Sequence, residues 1–251
     1  MLLGAVTYNV LNNMDLETVI RTLETAQFDA VELRTGHKHG VEPALSDAER
    51  SKVKDRFEHS KVRLLSFGTT CEFQSADAAE RKKQIDLAKA FIGLAHDTGA
   101  LGVKVRPNGL AKGVPRETTI QNIAAGLREV GEHGYVHGVE IWLEVHGGET
   151  QIPAAAAEIM RATNHKNVGL CWNSNPTDVV DGSVKASFDL LRPWLKSCHI
   201  TELADGYPYK ELFGLMKKSG YDRWTLCEAA ESKEPERFLR YYRALWRELM
   251  G

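Results

Sequence analysis

Val139-Glu140-Ile141-Trp142-Leu143-Glu144 and Val168-Gly169-Leu170-Cys171-Trp172-Asn173 are two of four short apolar runs that each end on a potential metal ligand. The other two are Trp194–Cys198, which runs into His199, and Trp224–Cys227, which runs into Glu228. Successive terminal residues are 29, 26 and 29 positions apart, about the length of one strand-plus-helix unit. A polar side chain at the carboxyl end of successive parallel strands is how a (β/α)8 barrel assembles a catalytic centre. If the four strand ends converge, two carboxylates, one imidazole and one amide oxygen hold a single divalent cation.

The same alternation extends outward over the whole chain. Strands are predicted at Leu3–Tyr8, Ala30–Leu33, Val62–Phe67, Gly102–Val105, Val139–Leu143, Val168–Trp172, Leu195–Ile200 and Arg223–Cys227. Between them, helical periodicity covers Asp15–Ala26, Ser46–His59, Ala76–Thr98, Arg116–His133, Ile152–Thr163, Ser183–Leu191, Tyr209–Ser219 and Pro235–Leu249. Asp15 and Ser46 read as N-caps, the latter with Glu49 completing a capping box. Gly99, Gly134 and Gly220 read as left-handed helix terminators. Eight β-α repeats in 251 residues favour closure into one α/β barrel over an open, doubly wound sheet. No linker or low-complexity segment divides residues 1–251, so a single domain is expected.

Composition excludes more than it specifies. A formal net charge of −2 gives no general attraction to DNA, RNA or anionic lipid, so neither nucleic acid nor membrane is expected as a partner. Cys71, Cys171, Cys198 and Cys227 include no C-x-x-C pair, and three lie in strand-like runs. They read as small buried hydrophobes in a reducing compartment. The N-terminal segment lacks a basic n-region and reads as a first buried strand. No apolar run approaches the ~18 residues of a membrane helix. A cytoplasmic location is expected.

Carboxylate, carbonyl and water oxygens suit Mg2+ and Mn2+, and an imidazole shifts the preference towards Mn2+, Co2+ or Zn2+. Mn2+ is the first expectation. Ile141–Gly148, Gly169–Asn173, Cys198–Ile200 and Leu226–Glu228 resemble strands five to eight of the xylose isomerase-like TIM barrels. Within these they are similar to the sugar phosphate isomerase/epimerase group that includes ketose 3-epimerases. Phe28–Leu33 and Gly220-Tyr221 extend the resemblance over essentially the whole chain. It implies a metal held by Glu144, Asn173, His199 and Glu228, with Glu144 and Glu228 as the acid and base of proton transfer next to a carbonyl. It also implies a small sugar-like substrate, and such barrels often associate as dimers or tetramers. Asn173 departs from the family's usual aspartate, and Pro176 stands where a histidine often follows. An asparagine carbonyl adds no charge and binds a cation more weakly.

Five further residues are candidate substrate contacts. Glu32 ends the second strand and His37 follows in a loop containing glycine. Lys104 and Arg106 share strand parity, so both point the same way and favour an anionic group if they face the pocket. His146 shares parity with Glu144 ahead of Gly147-Gly148. Tyr8 and Trp172 are candidates for an apolar wall. Phe238, Tyr241, Tyr242, Leu245, Trp246 and Leu249 read as the packing face of the last helix. The expected activity is a metal-dependent sugar isomerase or epimerase. The alternatives are hydrolase or lyase chemistry on the same scaffold, or a non-catalytic sugar-binding or regulatory barrel with a degenerate centre.

Overall fold

Eight parallel strands close on themselves in chain order: β1 (Leu2–Val6), β2 (Ala30–Arg34), β3 (Arg63–Gly68), β4 (Gly102–Val105), β5 (Glu140–Glu144), β6 (Val168–Asn173), β7 (Leu195–Ile200) and β8 (Trp224–Cys227). The computed structural model describes residues 1–251. Eight helices ring the barrel: α1 (Leu16–Ala26), α2 (Asp47–Glu58), α3 (Ala78–Thr98), α4 (Arg116–His137), α5 (Pro153–Thr163), α6 (Lys185–Leu191), α7 (Tyr209–Lys218) and α8 (Pro235–Met250). β1 pairs with both β2 and β8, which removes every sheet edge. No helix is long and apolar enough to cross a membrane.

The strands are buried on both faces, which is why they read as continuous apolar runs rather than alternating ones. Outward side chains such as Phe67, Val103, Leu143 and Trp172 join a core of 57 residues shared with the helices. Inward side chains form a separate cluster of Val6, Ala30, Leu65, Trp142, Cys171 and Leu226. Trp142 fills the barrel because Gly102 on neighbouring β4, paired in register with Glu140, leaves room for the indole. A Cβ on Gly102 would stand 2.7 Å from the indole ring. Glu140 accepts the Trp142 indole N–H at 2.8 Å and pairs with Arg223 at 2.5 Å, closing the amino-terminal end beneath.

Asp15 caps α1, and Ser46 with Glu49 forms the capping box of α2. Gly99 ends α3 in the left-handed region. Gly134 does not terminate α4, which continues to His137 and ends at left-handed Gly138. Gly134 is small for another reason: α4 presses against the start of β5 there, and a Cβ would meet the Val139 carbonyl oxygen at 2.5 Å. On α8 the packing face is centred on Leu239 and Tyr242, while Tyr241 is 65% exposed and lies outside it.

Gly134→Ala therefore sets helix propensity, which favours alanine by about 1 kcal/mol, against a rigid backbone clash. Overpacking of this kind costs about 1–3 kcal/mol, so the variant is expected to melt at lower temperature than the wild type. A higher melting temperature would show that α4 can move away from β5 freely.

Candidate active site

At the carboxyl end of the barrel, inward positions change from apolar to charged. Glu144 ends β5, Asn173 ends β6, and His199 is the penultimate residue of β7, paired with Asn173 in register. Glu228 follows β8 directly and donates its backbone N–H to the Ile200 carbonyl. Donor atoms of Glu144, His199 and Glu228 all lie within 4.8 Å of one another. His199 Nδ1 is 3.4 Å from Glu144 Oε1 and 3.3 Å from Glu228 Oε2. Its Nε2 faces Glu32 Oε1 at 3.2 Å. None of these contacts has hydrogen-bond geometry, so both ring nitrogens and Glu32 Oε1 are buried without a partner.

A cavity of about 350 Å³ opens above this cluster. Its walls include Glu144, Asn173 and Glu228 together with Lys104, Arg106 and His146. The side chains of Asn173 and Glu228 make no hydrogen bond within the chain, and His146 Nδ1 is buried without one. Lys104 does more than line the wall. Its ammonium donates to Glu144 Oε2 at 2.6 Å, with both side chains only 4% exposed. Arg106 is held by Glu72, 3.1 Å from its Nη2.

Other expected contacts lie elsewhere. Glu32 is fully buried beneath the cavity rather than in its wall. Ser66 donates to its Oε2 at 2.8 Å, and Gly68 leaves the space it occupies, since a Cβ there would be 2.6 Å from Oε1. Glu32 thus faces His199, not a substrate. His37 is not part of the wall either. It sits behind Tyr8, which does line the cavity, with ring centroids 6.1 Å apart and Thr7 Oγ1 2.9 Å from its Nδ1. Trp172 points outward into the helix layer against Phe188, so Tyr8 has no aromatic partner wall from β6. Arg34, Gln151, Ser174, Asn175 and Thr201 were not singled out by sequence but line the cavity. Arg34 had a visible signal: it shares parity with Glu32 at a strand end, the pattern that marked Lys104 and Arg106.

Burial alone would raise the Glu144 pKa, but the Lys104 ammonium and the His199 ring override it and hold it well below the ordinary carboxylate range. Burial likewise opposes a charge on Lys104, and Glu144, Glu32 and Glu228 together keep its pKa above normal. Burial would also raise the Glu32 pKa, and His199, Lys104 and Ser66 bring it below normal. The cluster is thus ionised because its charges are mutual. A second buried carboxyl behaves differently. Asp178 has no cation nearby, so burial pushes it up to about 7 against hydrogen bonds from Asn175 N–H and Tyr207 O–H. Tyr207 in turn accepts the Trp172 indole N–H at 3.1 Å. Asn175, fixed by Asp178, donates to the Val145 and Asn173 carbonyls at 2.7 Å each, which secures the loop beyond β6.

The sequence matches the xylose isomerase-like TIM barrel family over residues 20–248. The chain belongs to this family. No curated protein matches it by sequence. Among solved structures, D-psicose 3-epimerase from Clostridium cellulolyticum H10, crystallised with D-tagatose, superposes with a TM-score of 0.86 at 14% identity, covering 100% of both chains. An L-ribulose 3-epimerase gives 0.84 at 17% identity over 99% of this chain and 94% of the other. The IOLI protein with a bound zinc atom gives 0.80 at 17% identity over 99% and 96%. At these identities the likeness shows the shared barrel.

Two outcomes follow from the electrostatics. Lys104→Met strands a buried carboxylate, a change that typically costs about 3–5 kcal/mol. Urea denaturation in the presence of a chelator is expected to show a loss of that size, and a loss under 1 kcal/mol would mean that Glu144 needs no ammonium. For Asp178 the folded pKa lies above the unfolded value, so the folded state holds the extra proton between about pH 4 and 7. Its stabilisation is full at low pH and fades as pH rises through about 7. Asp178→Asn is expected to flatten this dependence, gaining on the order of 2 kcal/mol on the wild type between pH 5 and 8. Parallel stability profiles for the two proteins would contradict it.

Proposed function

We propose that this protein is a divalent-metal-dependent isomerase or epimerase of a small polyhydroxylated, sugar-like substrate. The observation that carries this reading is the convergence of Glu144, His199 and Glu228 at the floor of one polar cavity. The donor set fits a cation. Ligands about 2.0–2.2 Å from one ion stand roughly 3–3.5 Å apart, the spacing of His199 Nδ1 from the two carboxylates. The unpartnered His199 nitrogen and the free amide of Asn173 supply the remaining donors. Behind the site, Glu32 at 3.2 Å from the other ring nitrogen would orient the imidazole. Mn2+ suits this mixture of oxygen and nitrogen best, with Mg2+, Co2+ and Zn2+ as competitors.

A bound dication supplies Lewis acidity towards a substrate carbonyl. The chain supplies the rest. Glu228, free of hydrogen bonds and facing the cavity, takes the proton from the carbon next to the carbonyl. Glu144, whose Oε1 faces the same His199 nitrogen as Glu228, is the partner group, in the acid–base roles that the two glutamates have by resemblance. Lys104 fixes the Glu144 carboxylate by one oxygen and leaves the other turned to the site. His146, in the cavity wall, is placed to contact a substrate hydroxyl. Four free, buried cysteines are consistent with a reducing cytoplasm.

Asn173, which contributes no charge, favours a second reading as a non-catalytic sugar-binding barrel. Metal analysis after reconstitution with Mn2+ separates the two. About one equivalent is expected for the enzyme, and none would favour the binding module. In D2O, turnover of ketoses should carry deuterium into the substrate, and Glu228→Gln should lower it by about 10²–10⁴-fold. Unchanged exchange in that variant would remove Glu228 from the mechanism.

A further inference from the structure

Three cationic side chains face the cavity, and two of them are already committed. Lys104 is bound to Glu144 and Arg106 to Glu72. Arg34, at the end of β2, has no carboxylate within ion-pairing distance. Its one side-chain hydrogen bond runs from Nη1 to the Thr35 carbonyl at 2.9 Å. The guanidinium lies 5.5 Å from the centroid of the Tyr8 ring, which holds it by cation–π attraction and leaves its Nε and Nη2 edge without partners. Arg34 as a residue is half-buried and lines the cavity wall. A planar fork of N–H donors with no internal acceptor is built for a carboxylate or a phosphate.

Two further features bear on Arg34. His37, stacked on Tyr8, is neutral at physiological pH: burial, then the Arg34 and His39 charges, lower its pKa to about 4. The aromatic pair therefore brings no second cation against the guanidinium. In register, Arg34 is paired with Gly68, which is paired with Lys104. The space a Gly68 side chain would fill is taken by the Glu32 carboxylate. The local charges also favour an anion. Glu32, Glu72, Glu144 and Glu228 face Arg34, Lys104 and Arg106, and with a dication present the cluster has one positive charge in excess.

We infer that Arg34 is the subsite for an oxyanion on the substrate, so that the ligand is a ketose-like molecule ending in a carboxylate or phosphate rather than a neutral sugar. This rests on the proposed sugar-isomerase function for the nature of the ligand, but not for the anion preference itself.

Calorimetric titration of the Mn2+-reconstituted protein with D-fructose, D-fructuronate and D-fructose 6-phosphate tests it, because the three probes differ mainly at one end. At least one anionic probe is expected to bind about tenfold or more tightly than D-fructose. Which of the two wins distinguishes a carboxylate from a phosphate. Arg34→Gln should erase that advantage, bringing the anionic probes to the affinity of D-fructose for the same variant, with the melting temperature near wild type, and Arg34→Lys should restore part of it. Repeating the titrations after chelation separates Arg34 from the metal: without the ion the cluster has one negative charge in excess and anion affinity falls, but the difference between wild type and Arg34→Gln persists. Equal affinity for all three probes overturns the inference, as does an anion preference that survives Arg34→Gln. Arg34-dependent binding without turnover of any probe would instead count against the isomerase function and leave the subsite standing.

Discussion

Carboxylates cannot be taken out of water singly, and the mouth of this barrel buries two of them and half-buries a third around one histidine. Glu32, Glu144 and Glu228 are held at one spot because Lys104 and His199 are buried with them. The Lys104–Glu144 contact at 2.6 Å is the tightest of these, and the others depend on it for charge balance. The pairing across β4 and β5 fixes the partners: the two strands are adjacent and both side chains come from the carboxyl end, where inward positions reach the cavity.

The remaining structure supports that arrangement from below and from the sides. Trp142 and the small apolar cluster fill the interior, so the charged layer has a dry floor and its interactions are little screened. Gly102 and Gly68 are small because something larger needs their volume, an indole in one case and the Glu32 carboxylate in the other. The network of Trp172, Tyr207, Asp178 and Asn175 sets the loop after β6, from which Ser174 and Asn175 face the cavity beside Asn173. Catalytic competence of a barrel of this kind rests on loops being held by such buried polar groups rather than on the barrel alone.

Much of this was legible from residue order. The four apolar runs, their spacing and their terminal polar residues announced both the repeat and the cluster, because parallel strands advertise themselves by continuous hydrophobicity. Helix caps at Asp15 and Ser46 were equally plain, being local hydrogen-bond chemistry. Gly134 was misread because a glycine that serves a helix end and one that serves a close approach look identical in one dimension. Trp172 and His37 were misjudged because proximity in sequence to a site residue says nothing of which side of the sheet, or of a neighbouring ring, a side chain occupies. Arg34 carries on β2 the same parity signal that Lys104 and Arg106 carry on β4.

Residue order by itself determined the eightfold β-α pattern, the barrel and which polar residues stand at the strand ends, since these follow from periodicity and from the chemistry of side chains at fixed intervals. Only the folded structure decided who neutralises whom. Lys104 belongs to Glu144, Arg106 to Glu72, Glu32 to His199, and Arg34 to no carboxylate of the chain. Those assignments depend on distances of a few ångströms between strands tens of residues apart, and electrostatic interactions in a buried site change steeply over that range.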